Sequence, residues 1–207
     1  MKRVLFVIFI LTMIFAQGCT LDETRSDSSG GDSKFSLLNE FNGLQWGDSL
    51  DDVCTALDNA NIKYEVIEPK EDEVFTSLHI LDNSDFNGLK VEKIIHFRII
   101  SRKDPVIVNI SYAFESFDDV YLFLQQRIGE PNKIDENNAL RAVWSLSKVS
   151  DNFSCNEIEN VYKLLEFDTS DALSDATAEN LMLYEVNGQG YLVNDGSVTA
   201  SIIEKLK

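Results

Sequence analysis

His79 and His96 are the two histidines of the chain, and metal chemistry is the first question they raise. A zinc site gathers closely spaced ligands, as H-E-x-x-H does on one helix face, and no such cluster surrounds either residue. Both fall in strand-like stretches and read as strand histidines on a solvent-facing side. A calcium loop requires D-x-[DN]-x-[DN]-G and a glutamate at its twelfth position. Asn83, Asp85, Asn87 and Gly88 supply the first half, but Ile94 holds the twelfth position and Glu92 comes too early. That stretch reads instead as a hairpin turn. Nucleophile and phosphate motifs of the G-x-S-x-G and glycine-rich kinds are missing from the sequence. Asp51-Asp52 and Asp118-Asp119 are paired acids, but each pair follows a helix-capping serine, which already accounts for it. Trp46 and Trp144 read as core or sheet-edge aromatics. The expectation is therefore no catalytic residue, no metal and no cofactor.

The cysteines say more. Lys2 and Arg3 precede an apolar run from Val4 to Phe15, broken only by Thr12, and small residues follow at Ala16 and Gly18. A charged start, a short apolar centre and small residues beyond it make a secretory signal peptide. A membrane span would need about 20 apolar residues, and this run is shorter and lacks a basic stop-transfer cluster. Ala16-Gln17-Gly18-Cys19 resembles the lipobox of bacterial lipoproteins, whose cysteine is acylated and becomes the new N-terminus. The resemblance implies lipidation at Cys19, with a diacylglyceryl group and a further acyl chain such as palmitate. Ordinary cleavage after Gly18 is the competing reading. If Cys19 is acylated, Cys54 and Cys155 remain as an even pair; otherwise an exported chain carries an odd thiol. Cys54 falls on a helical apolar stripe, so a buried free thiol is expected there rather than a disulfide to Cys155.

Residues 1–18 are thus read as a removed signal, 19–34 as a lipid-anchored tether and 35–207 as one domain. Thr20 to Lys34 is rich in Ser, Gly and acid and has no apolar period. Fifteen such residues form a coil spanning about 20 Å. A single acyl chain anchors only marginally and the tether has no basic patch, so several chains are needed. Loss of Lys2 and Arg3 leaves 16 basic residues against 35 acidic ones, a net charge near −19. That balance argues against nucleic acid, whose binding rests on Lys and Arg. It also keeps the domain off anionic head groups, although solubility alone explains it.

Within the domain, Ser49-Leu-Asp-Asp-Val53 and Ser116-Phe-Asp-Asp-Val120 share the pattern S-[LF]-D-D-V-x-x-x-L. Each serine is placed to cap a helix whose first turn carries two aspartates. Apolar residues follow at helical spacing: Leu50, Val53, Cys54 and Leu57, then Phe117, Val120, Tyr121, Leu124 and Ile128. Strand-like alternation follows each helix, over Lys63–Glu68, Val74–Leu81, Val91–Ile100 and Val106–Phe114, then Leu140–Leu146, Val161–Phe167, Leu181–Val186 and Tyr191–Val193. Turns are marked at residues 82–88 and at Asn187-Gly188. The expected class is α+β, an antiparallel sheet backed on one face by two helices, built as two tandem helix-then-strands repeats or as one continuous sheet. Ser197 to Lys207 fits a helix or a strand.

Gly43-Leu-Gln-Trp-Gly-Asp-Ser-Leu-Asp-Asp-Val53 is similar to the opening of small envelope lipoproteins of the outer-membrane-assembly and β-lactamase-inhibitory-protein-like kinds. Gly129-Glu-Pro131 followed by a strand ending in Trp144 is similar to sequences common in bacterial lipoproteins. The resemblance implies a non-enzymatic module anchored to a membrane through Cys19 and binding an envelope protein partner. A small-ligand or cell-wall-binding lipoprotein is the alternative, and an envelope hydrolase a third. Alternation places Ile95, Phe97 and Ile99 under the helices with Val108, Ile110 and Tyr112. The opposite face would then offer His96, Arg98, Asn109 and Ser111, beside Ile94 and Ile107, as a wet, adhesive interaction surface.

Overall fold

The computed structural model describes residues 35–41, 43–69, 75–81, 85–98, 100, 104–135 and 137–207. Cys19, the leader and the tether lie outside them, as do Ile99 and Val74. Two helices open as their sequences require. In α1 (Leu50–Asn59) the Ser49 hydroxyl accepts from the Asp52 amide, and in α2 (Phe117–Ile128) that of Ser116 accepts from the Asp119 amide. Asp51, Asp52, Asp118 and Asp119 lie in the first turns, where the helix dipole favours negative charge. Ser49→Ala and Ser116→Ala are each expected to cost about 1 kcal/mol in denaturant unfolding. A loss confined to one of them would show that the two starts are not equivalent.

Each helix is followed by four main strands. The first unit has β1 (Tyr64–Ile67), β2 (Phe75–Ile80), a short β3 (Asp85–Phe86), β4 (Leu89–Arg98) and β5 (Val106–Phe114). The second has β6 (Lys133–Ile134), β7 (Leu140–Lys148), β8 (Thr177–Val186) and β9 (Gln189–Asp195). They form one antiparallel sheet in the order β1-β2-β4-β5-β9-β8-β7-β6, with β3 paired to β4 off this path. The order is palindromic: the last strand of each unit meets the other at the centre. A shared hydrogen bond strengthens the equivalence. The Leu50 amide donates to the Pro105 carbonyl at 3.1 Å, and the Phe117 amide to the Gly188 carbonyl at 2.9 Å. Leu50 and Phe117 are the matching residues of the repeated motif, and each acceptor immediately precedes the last strand of its own unit. The domain is a tandem repeat in structure as in sequence.

The hairpin turns follow from residues that tolerate positive φ. Asn87 and Gly88 have φ of 52° and 85°, and Asn187 and Gly188 have 53° and 81°. Two successive positive values match the twist of the flanking strands, which explains Asn-Gly at both sites.

Val53 and Leu57 of α1 and Val120 and Leu124 of α2 join one core with Leu78, Ile95, Ile110 and Leu192. Helix α2 rests directly on Gly190, where a Cβ would lie 2.6 Å from Val120 Cγ1. Trp144 is buried, and its indole N–H donates to the Gly129 carbonyl at 2.9 Å.

Three further helices complete the fold, and the first corrects the sequence reading. Val161–Phe167 is not a strand: Val161 ends α3 (Cys155–Val161), and turns follow. A capping box between Ser154 and Glu157 starts this helix, and Ile158, Val161, Tyr162 and Leu165 keep helical spacing beyond it. After α4 (Ser170–Asp175) and β9, the undecided C-terminal stretch is α5 (Ser197–Leu206). Ile158, Val161, Leu173, Ala178 and Ile202 make a second, smaller core. Ala178 adjoins Glu179, whose carboxylate bonds Asn194 on the helix-covered side, so strand alternation turns Ala178 to the other face. Cys54 is half-buried and Cys155 exposed, and both are free thiols.

Candidate functional site

Register brings the polar strand residues into one line. Ser77 pairs with His96, His96 with Asn109, Asn109 with Asp195, Asp195 with Asn180, and Asn180 with Ser145. Directly paired residues share a face, so six polar side chains cross β2, β4, β5, β9, β8 and β7 in a row about 24 Å long. A parallel row runs through His79, Ile94, Ser111, Val193, Met182 and Val143, apolar apart from His79 and Ser111. These rows lie on the face away from α1 and α2.

His96 is the best-positioned group in this region. Its Nδ1 is 3.1 Å from the Ser77 hydroxyl and its Nε2 2.8 Å from that of Ser111. Either hydroxyl can donate or accept, so both ring nitrogens of the neutral imidazole are satisfied. Burial, followed by repulsion from His79, pushes the His96 pKa down to about 3. The Phe75 ring meets the imidazole edge-on at 6.2 Å. Farther along, desolvation raises the Asp195 pKa, opposed by the Ser197 amide that donates to Oδ1 at 3.0 Å. The Asn109 Oδ1 atom is buried and has no hydrogen-bond partner among the described residues.

The arrangement bears on nucleophilic chemistry. A hydroxyl and an imidazole at 2.8 Å have the spacing of a nucleophile and its base. The group at the other ring nitrogen is the Ser77 hydroxyl, not a carboxylate. Asp195 lies two strands from His96, about 10 Å away at ordinary strand spacing. The row therefore does not assemble a Ser–His–Asp relay.

The expected interaction face requires correction. His96, Asn109 and Ser111 come together on one side of the sheet, as alternation required, but they are only 2%, 5% and 5% exposed. Ile94 and Ile107 are 7% and 0% exposed, and Arg98 is half-buried and has a partner. The wet surface inferred from polar residue types is an interior polar row. His96 is accordingly a satisfied core histidine. The accessible end of the row is Ser145, with Asn180 and Asp195 half-buried beside it. Sequence reading missed Ser77, Ser145, Asn180 and Asp195, because only strand register reveals their alignment.

Among the described residues there is no group of three or more His, Cys, Asp or Glu side chains placed to hold a metal ion. Among them, no helix is long and apolar enough to cross a membrane. No protein-family model, curated protein or solved structure matches this chain.

Proposed function

We propose that this protein is an exported lipoprotein, anchored to a bacterial membrane through Cys19, that works as a non-enzymatic module binding another envelope protein. The observation that carries this reading is the order of segments along the chain. An apolar leader ending in Ala16-Gln17-Gly18-Cys19 precedes a stretch rich in Ser, Gly and acid, and closely spaced apolar residues return beyond it, from Phe35. Leu37, Leu38 and Phe41 are buried within that first segment, so the tether joins the core rather than a loose end. A Ser-, Gly- and acid-rich stretch between Cys19 and the domain suits a module that works on a partner close to the bilayer. The exposed Ser145 hydroxyl, with the half-buried Asn180 and Asp195 in line beside it, is a suitable contact for a polar partner surface.

Substitution of Cys19 tests the anchor. In the native cell, Cys19→Ala should move the protein from the membrane to the soluble or secreted fraction and abolish incorporation of labelled palmitate. Retention of label would overturn lipidation at Cys19. The interaction is tested with a photo-crosslinking residue at Ser145, compared with one at Leu122 on α2. A discrete adduct from Ser145, lost with Cys19→Ala, is expected. An adduct from Leu122 alone would move the contact surface to the helices.

A further inference from the structure

The first described residues do more than link a tether to a domain. Residues 36–41, including a 3-10 turn at Leu37–Glu40, lie over the junction of the two repeats and bond to both. At one end the Ser36 hydroxyl donates to Glu179 Oε1 at 2.6 Å, and the Leu37 amide donates to Asn194 Oδ1 at 2.8 Å. Asn194 Nδ2 also donates to Glu179 Oε1, at 2.9 Å. Glu179 and Asn194 belong to β8 and β9 of the second repeat. At the other end Glu40 Oε2 accepts from Lys93 Nζ at 2.7 Å and from the Tyr112 hydroxyl at 2.8 Å. Lys93 and Tyr112 belong to β4 and β5 of the first repeat. Between these ends Leu37 is fully buried, and Leu38 and Phe41 are 7% and 6% exposed. Phe35 extends the contact edge-on to Phe86, whose ring also meets Tyr112, Phe114 and Phe123.

We propose that residues 36–41 are a clasp that locks the two repeats together over the β5–β9 seam, and that lifting it opens this seam before the rest of the sheet. The charges give the reason. Lys93 and Glu179 are 7% and 8% exposed, and a buried charge persists only with partners. Glu40 is the acid paired with Lys93, and the Ser36 hydroxyl is one of the donors to Glu179. Lifting the clasp removes both contacts at once, one on each side of the seam. The outer ladders, β1–β2 and β6–β7, share no bond with these groups. This inference rests on the fold and not on lipidation at Cys19.

Amide hydrogen exchange in the full-length chain tests it. Glu40→Gln should speed exchange across the β5–β9 ladder by about tenfold or more, the effect of weakening one charged contact, while β1–β2 and β6–β7 keep wild-type rates. Ser36→Ala, which removes a single hydroxyl at the opposite end, should give the same pattern at smaller amplitude. It keeps the test open if Glu40→Gln does not fold. Equal acceleration in all ladders, meaning global destabilisation, would overturn the clasp. Unchanged rates at the seam would overturn it as well.

Discussion

Acidification from about pH 7 to about pH 4.5 should lower the stability of the fold by about 2–3 kcal/mol through His96 alone. The sign follows from where the proton goes. The His96 pKa is pushed down to about 3 in the folded protein, against an ordinary value of 6.5. Between those values the unfolded chain binds the proton and the folded chain does not, so stability is present above the unfolded value and is lost as pH falls. Each pH unit in that window is worth about 1.4 kcal/mol. Asp48 and Asp195 act in the opposite sense. Burial raises both carboxyls in the fold, so their contribution is present at low pH and lost as pH rises through the raised values. A variant comparison isolates the histidine. His96→Gln, an amide between the same two hydroxyls, should be less stable than wild type at pH 7, and its deficit should shrink by about 2–3 kcal/mol at pH 4.5. Parallel unfolding curves for the two proteins across this range would show that His96 does not titrate as its burial requires.

A single methyl group at Gly196 should be comparably damaging. Trp46 lies so close over this glycine that a Cβ would meet the indole Cδ2 at 2.2 Å and Cε2 at 2.3 Å. No ordinary contact is that short, and Trp46 is itself buried at 7% exposure, with little room to withdraw. The glycine is needed for space rather than for its backbone angle, since its φ of −115° suits any residue. Gly196→Ala is expected to cost about 3 kcal/mol, near the upper end for overpacking a core. Removing the ring should relieve the clash. In a double-mutant cycle, Trp46→Ala with Gly196→Ala should lose at least about 1 kcal/mol less than the sum of the single losses. Additive losses, or a Gly196→Ala protein as stable as wild type, would mean that the indole moves aside freely.

Sequence alone was sufficient wherever the decisive interaction spans only a few residues. Ser49 and Ser116 cap amides three residues on, so the helix starts were legible from the motif. Asn87-Gly88 and Asn187-Gly188 were legible as turns because positive φ is a property of those residues themselves. Alternation in Val106–Phe114 placed Ile110 and Tyr112 on one side and Asn109 and Ser111 on the other, and the repeated helix motif announced two equivalent units. The start of α3 went unread, although Ser154 and Glu157 form the same kind of local capping pattern. Its neighbours misled because Val161, Leu165 and Phe167 also fit a period of two. Tertiary structure decided everything that depends on what lies across from a residue. Alternation separates the two faces of a strand but does not say which face meets water, so His96, Asn109 and Ser111 read as wet from their polarity. His96 tolerates the interior because Ser77 and Ser111, on neighbouring strands, satisfy the imidazole that burial would otherwise penalise. The clasp left no local trace either. Ser36 meets Glu179 and Glu40 meets Lys93 across sequence separations of 143 and 53 residues, and only the closed sheet brings those strands beneath one short segment.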